Sequence, residues 1–141
     1  MGYYTTFEGI IKFNKRFYNL VKYMLKNKIK PFSYCDENEF ILEVSSQAIL
    51  TINVNWKNYN EEMEKICFFI LSLDRKAEGF IRAYGEEMDD LWALKIENGK
   101  LLSGGGSITY SFDKSNPLEF PEIDALIRSK KFKSLVFSEC V

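Results

Sequence analysis

Residues 79–112, GFIRAYGEEMDDLWALKIENGKLLSGGGSITYSF, constrain the fold more than any other stretch of the chain. Apolar and polar residues alternate on either side of Asn98-Gly99, a dipeptide that supports a two-residue hairpin. Glu86, Glu87, Asp89 and Asp90 crowd the chain ahead of Trp92. The pattern predicts an antiparallel meander with an acidic tip, its strands over 78–84, 90–97 and 100–112. The last of these is expected to bend where Gly104, Gly105 and Gly106 relax the backbone.

The rest of the chain supplies the elements that such a meander needs as neighbours. Residues 3–13 alternate, with Tyr3, Phe7, Ile11 and Phe13 on one face and Tyr4, Glu8 and Lys12 on the other, which reads as a half-buried strand. Asn14 can cap a helix to about Lys28, because Phe17, Leu20, Val21, Met24 and Leu25 fall on one helical stripe. Pro31 closes that region. Phe40, Leu42 and Val44, then Ala48, Leu50, Ile52, Val54 and Trp56, predict two strands joined around Ser45-Ser46, each with one wet face. Asn58 and Glu61 resemble a capping box opening a helix to about Leu73. Its stripe is Met63, Ile66, Cys67, Ile70 and Leu73, while Phe68, Phe69 and Leu71 form a second apolar face, either wrapped by the fold or left as a binding surface. Pro121 opens a short helix through Ile123, Leu126 and Ile127.

The predicted order is β-α-β-β-α-β-β-β plus a short helical tail. This is an α+β fold: an antiparallel sheet with two helices on one face, beginning on the split β-α-β plan of ferredoxin-like folds and extended by the meander. The length of 141 residues and an apolar content of 46% suit a single domain over 1–141, with 115–141 as an appended tail.

The chain has no histidine, which removes the commonest general base and every histidine-containing triad. Cys35, Cys67 and Cys140 form no close-spaced pair, so neither a disulfide framework nor a zinc knuckle is indicated, and a cytoplasmic location is expected. No apolar run is long enough to cross a membrane. Met1-Gly2 with Thr6 matches the loose myristoylation pattern, which the bulky Tyr3 disfavours. Neither a cofactor nor a metal is expected. Ser103-Gly104-Gly105-Gly106-Ser107 lacks the lysine and helix start of a phosphate-binding loop.

Charge is uneven although its sum is −1. Residues 1–35 carry seven basic side chains against Glu8 alone, and residues 59–97 carry ten acidic against five basic. Aromatic residues, at 16%, exceed what a small core uses and point to a protein partner. The expected contact residues are Glu86, Glu87, Asp89, Asp90, Trp92, Phe68 and Phe69, and a homodimer through the aromatic helix face is compatible with them. Lys15, Arg16, Lys22 and Lys26, interleaved with Tyr18 and Tyr23, offer an alternative nucleic-acid or nucleotide surface. A further alternative is a metal-dependent enzyme built on the carboxylate cluster.

Met1-Gly2-Tyr3-Tyr4-Thr5, Gly79-Phe80, Gly85-Glu86-Glu87, Asp90-Leu91-Trp92 and Asn98-Gly99-Lys100 together resemble a family of small uncharacterised bacterial and phage proteins with an N-terminal MGYxT and an internal GEExxDxW…NGK pattern. The resemblance covers roughly forty residues and departs at Met88-Asp89, where the family more often has Thr or Ser followed by Gly. It implies a non-enzymatic protein of phage or mobile-element origin that acts by occluding a host protein, such as a restriction or CRISPR defence factor.

Overall fold

The computed structural model describes residues 3–57, 59–87, 89–131 and 133. Met1, Gly2, Asn58, Met88 and Cys140 lie outside them, and with them the myristoylation pattern and the Asn58 half of the expected capping box. The chain forms two compact units, Met1–Ile108 and Thr109–Val141.

In the first unit the strands are β1 (Tyr4–Phe13), β2 (Phe40–Val44), β3 (Ala48–Lys57), β4 (Glu78–Tyr84), β5 (Leu91–Glu97) and β6 (Lys100–Gly105), with helices α1 (Tyr18–Lys26) and α2 (Asn60–Leu73). All six strands join one open sheet in the order β2-β3-β1-β4-β5-β6, and every neighbouring pair is antiparallel. β1 and β2 therefore run in the same direction with β3 between them, and β3 and β4 run in the same direction with β1 between them. The fold is α+β.

Alternation decides which way the sheet faces. Phe7, Ile11 and Phe13 of β1, Leu50, Ile52, Val54 and Trp56 of β3, Ile81 and Ala83 of β4, and Leu94 and Ile96 of β5 are buried in one cluster. Val21, Met24 and Leu25 of α1 and Met63, Ile66, Cys67, Ile70 and Leu71 of α2 belong to the same cluster, so both helices cover one face. Phe7 is the hub of its aromatic part: its ring meets Trp56 and Trp92 edge-on at 6.0 and 5.5 Å. Phe7, Ala83 and Trp92 share one row of the sheet, and the small Ala83 lets the indole reach across to the phenyl ring.

Several local expectations change. Asn14 does cap, its Oδ1 accepting from the Arg16 N–H at 3.0 Å, but it caps a 3₁₀ turn over Lys15–Phe17, and α1 begins only at Tyr18. Leu20 accordingly sits on the exposed side of α1. α2 opens at Tyr59 without a side-chain cap, and Glu61 and Glu62 in its first turn complement the helix dipole. Leu71, expected on the second face of α2, is in the core, and Phe69 leans onto the loop residue Phe32, ring to ring at 5.8 Å. β6 stops at Gly105, so the strand expected over 100–112 is half as long, because Gly106 makes the last ladder bond, N–H to Leu91 O at 2.9 Å. Asn98 and Gly99, with φ of 53° and 75°, form the two-residue turn their sequence predicts.

The second unit holds α3 (Pro121–Arg128), with Pro121 in its first turn. It also holds a turn in which Asp113 accepts from the Ser115 N–H at 3.1 Å and from Asn116 Nδ2 at 2.9 Å. These bonds, that of the Ser115 hydroxyl foremost, hold the Asp113 carboxyl below its usual range.

Gly9 lies where β1 passes between β3 and β4, facing Ile52 on one side and Ile81 on the other. A methyl group there would overlap the Phe80 carbonyl oxygen and the Ile81 Cα, both of them backbone. Gly9→Ala is therefore expected to destabilise the fold by about 3 kcal/mol or more. Urea unfolding checks this, and a wild-type midpoint would contradict the close passage of β4 over β1.

Candidate functional surface

The acidic tip is built from two kinds of carboxylate. Asp90 accepts a short hydrogen bond from the Tyr3 hydroxyl, and that hydroxyl accepts from the Glu87 N–H at 3.2 Å. Glu86 Oε1 accepts from the Tyr4 N–H at 2.8 Å. Gly85 donates its N–H to Asp90 O at 2.9 Å, and a Cβ on Gly85 would collide with the Tyr3 ring and the Asp90 carboxylate. The β4–β5 hairpin is thus clasped to the start of β1, and the bond to Asp90 raises the Tyr3 hydroxyl above the ordinary phenol pKa. Glu87 and Asp89 keep exposed side chains. Of the four carboxylates proposed as one surface, Glu86 and Asp90 act as latches and Glu87 and Asp89 face solvent. Trp92, expected at the surface or in the core, is half-buried against Phe7. Tyr3 and Tyr4 of the first sequence block therefore meet Glu86, Glu87 and Asp90 of the second in space.

On the face away from the helices, β4, β5 and β6 set three cross-strand rows side by side: Phe80, Lys95 and Leu102; Arg82, Ala93 and Gly104; and Tyr84, Leu91 and Gly106. The small middle residues Ala93 and Gly104 make a floor, and the flanking rows make walls. The result is a mainly apolar trough of about 530 Å³. Phe80 is 48% exposed, Leu102 44% and Tyr84 37%. Arg82 is drawn aside to Glu8, Nη2 to Oε2 at 3.0 Å, and the Tyr84 hydroxyl donates to Glu8 Oε1 at 2.7 Å. That bond pushes the Tyr84 hydroxyl pKa up. Sequence reasoning gave this face no role. The available signal was the outward phase of 78–84 and 100–105, which carries Phe80, Tyr84 and Leu102 where a wet face would carry charges.

The remaining candidates do not come together with these. Phe68 is 57% exposed and lines a second trough with Pro31, Lys65 and Leu101, whereas its neighbour Phe69 is half-buried. Lys15 and Arg16 lie in the 3₁₀ turn and Lys22 and Lys26 on α1, all solvent-facing. The Arg16 guanidinium covers the Phe17 ring at 4.6 Å and the Lys22 ammonium covers Tyr18 at 5.6 Å, so these cations occupy aromatic faces that base stacking would use. Burial pushes the Cys35 and Cys67 thiols up to about 12, which leaves neither as a nucleophile. Among the described residues no group of three or more His, Cys, Asp or Glu side chains could hold a metal ion, and no helix is long and apolar enough to cross a membrane. Protein-family models, characterised proteins and solved structures give no match to this chain.

Opening the clasp should expose the hairpin. Tyr3→Phe is expected to speed cleavage by a glutamate-specific protease after Glu86 and Glu87 about tenfold, with cleavage elsewhere unchanged. Cleavage at the wild-type rate would show that the hydroxyl does not hold the tip.

Proposed function

We propose that this chain is a non-enzymatic protein-binding module that acts by occlusion, and that it engages its partner through the outer trough of β4, β5 and β6. One observation carries the reading: a sheet face holding Phe80, Tyr84 and Leu102 around a small-residue floor, with no element of the first unit covering it. Small-molecule sites enclose most of their ligand. A trough on an open sheet supplies floor and walls only, and a protein partner brings the missing side. Tyr84 and Leu91 at the trough's end lead directly into the hairpin carrying Glu87 and Asp89, so an apolar centre adjoins an acidic rim. The matching partner presents an apolar anchor beside basic groups, with the rim steering encounter more than adding affinity. The motif resemblance to small phage proteins supports a host protein in that role, a defence factor among the candidates. The order β2-β3-β1-β4, with α1 and α2 as crossovers, supports a split β-α-β core of ferredoxin-like plan, to which β5 and β6 add the binding half.

The test is capture of partners from a nuclease-treated host lysate by wild type and by a Phe80→Ser/Tyr84→Ser variant of unchanged melting temperature. A stoichiometric protein retained by wild type and reduced at least about tenfold by the variant is expected, since aromatic anchors dominate such contacts. Retention that the variant leaves intact, or that occurs only in a parallel capture without nuclease, would overturn the assignment. In the second case the weight would move to Lys15, Arg16, Lys22 and Lys26.

A further inference from the structure

β6 is the last strand of the sheet, and among the described residues nothing pairs with its far side. The Gly106 N–H points to β5, where it meets Leu91 O. Backbone groups alternate along a strand, so Lys100, Leu102 and Gly104 also face β5, and the N–H and C=O groups of Leu101, Ser103 and Gly105 face outward along the open edge. Natural sheets block such edges with charge, proline or a bulge. β6 carries one charge, Lys100, and no proline. Apolar surface flanks the edge on both faces: Leu102 in the outer trough, and Leu101 with Phe68 in a trough of about 650 Å³ on the helix side.

The run Lys100-Leu101-Leu102-Ser103-Gly104-Gly105-Gly106 is complementary to its own reverse about Ser103. Consider two copies paired antiparallel across a twofold axis through Ser103, perpendicular to the sheet. Leu101 then exchanges hydrogen bonds with Gly105 of the second copy, Ser103 with its own counterpart, and Gly105 with Leu101, which uses every outward-facing group of the edge. Leu102 lies opposite Gly104 and Lys100 opposite Gly106, so no like charges meet. Side-chain-sized space at Gly104 and Gly105 is empty to 4 Å, which leaves room for the opposing leucines. A one-residue slip would set the outer face of one copy against the helix face of the other and forfeit this fit.

We propose that β6 is a homodimer seam, pairing with β6 of a second copy in this register so that the two sheets become one. The seam joins the two outer troughs into a single longer surface. It also places Phe68, on the helix face expected from the sequence to carry a homodimer, beside the junction. The inference stands on the edge geometry and is independent of what the trough binds.

Sedimentation velocity over a range of concentrations tests it. Wild type should reach twice the 16.5 kDa chain mass. Ser103→Pro removes the edge-facing N–H and keeps the ladder to β5, so it should weaken dimerisation about tenfold or more, while Ser103→Ala behaves as wild type. Gly104→Val fills space that is open within the chain and required by Leu102 of the second copy, and should yield a folded monomer. In a Cys140→Ser background, Ser103→Cys should cross-link under mild oxidation and Leu102→Cys should not, because opposed Cα atoms of a hydrogen-bonded pair lie about 5.5 Å apart. A wild type that stays monomeric at every concentration, or a dimer untouched by both Ser103→Pro and Gly104→Val, would overturn the proposal.

Discussion

The packing of Phe7 between Trp56 and Trp92 ties the sheet together, because it joins side chains from β1, β3 and β5 in one edge-on aromatic group. Such pairs contribute about 0.5–1.5 kcal/mol each beyond the area they bury. Their larger effect is geometric. They fix the register of β1 against its neighbours, and the Tyr3 clasp then has its partner hairpin in place. Gly9, two residues along, lets the backbone of β4 pass close enough to complete the central ladder. The N-terminal strand is thus the organiser of a sheet whose other strands come later in the chain.

That central role explains how the surfaces divide. The face on which Phe7 points is filled by α1 and α2, and the opposite face has no helix of the first unit over it. β3 and β4 enclose β1, while β6 is left at the rim with its backbone groups turned outward. The outer trough and the proposed seam are both consequences of adding β5 and β6 to one side of a four-strand, two-helix core.

Much of the architecture was legible because alternation and helical periodicity are strong where one face of an element is buried. The strands at 40–44, 48–57 and 78–84 and the helix ending at Leu73 fall where the apolar spacing put them. The reading weakened where tertiary context decides. Nothing in 100–112 announces that pairing ends at Gly105, since Ile108, Tyr110 and Phe112 continue the alternation without a neighbouring strand. Phe32 sits in a loop, and only the fold places it against Phe69 in the core. The carboxylates of the tip looked equivalent in sequence, yet the Tyr3 hydroxyl and the Tyr4 N–H, more than eighty residues away, separate Asp90 and Glu86 from Glu87 and Asp89. The trough was missed because its floor consists of absent side chains, Ala93 and Gly104, which have no hydropathy pattern to read.

Residue-resolved hydrogen exchange tests the β1-centred account most directly. The amides of Glu8, Gly9, Ile10 and Ile11, held between β3 and β4, should be the slowest in the chain and exchange only on global unfolding, with β6 opening earlier. If the β1 amides exchange faster than those of β5 and β6, the sheet is organised around the meander instead, and the central claim fails.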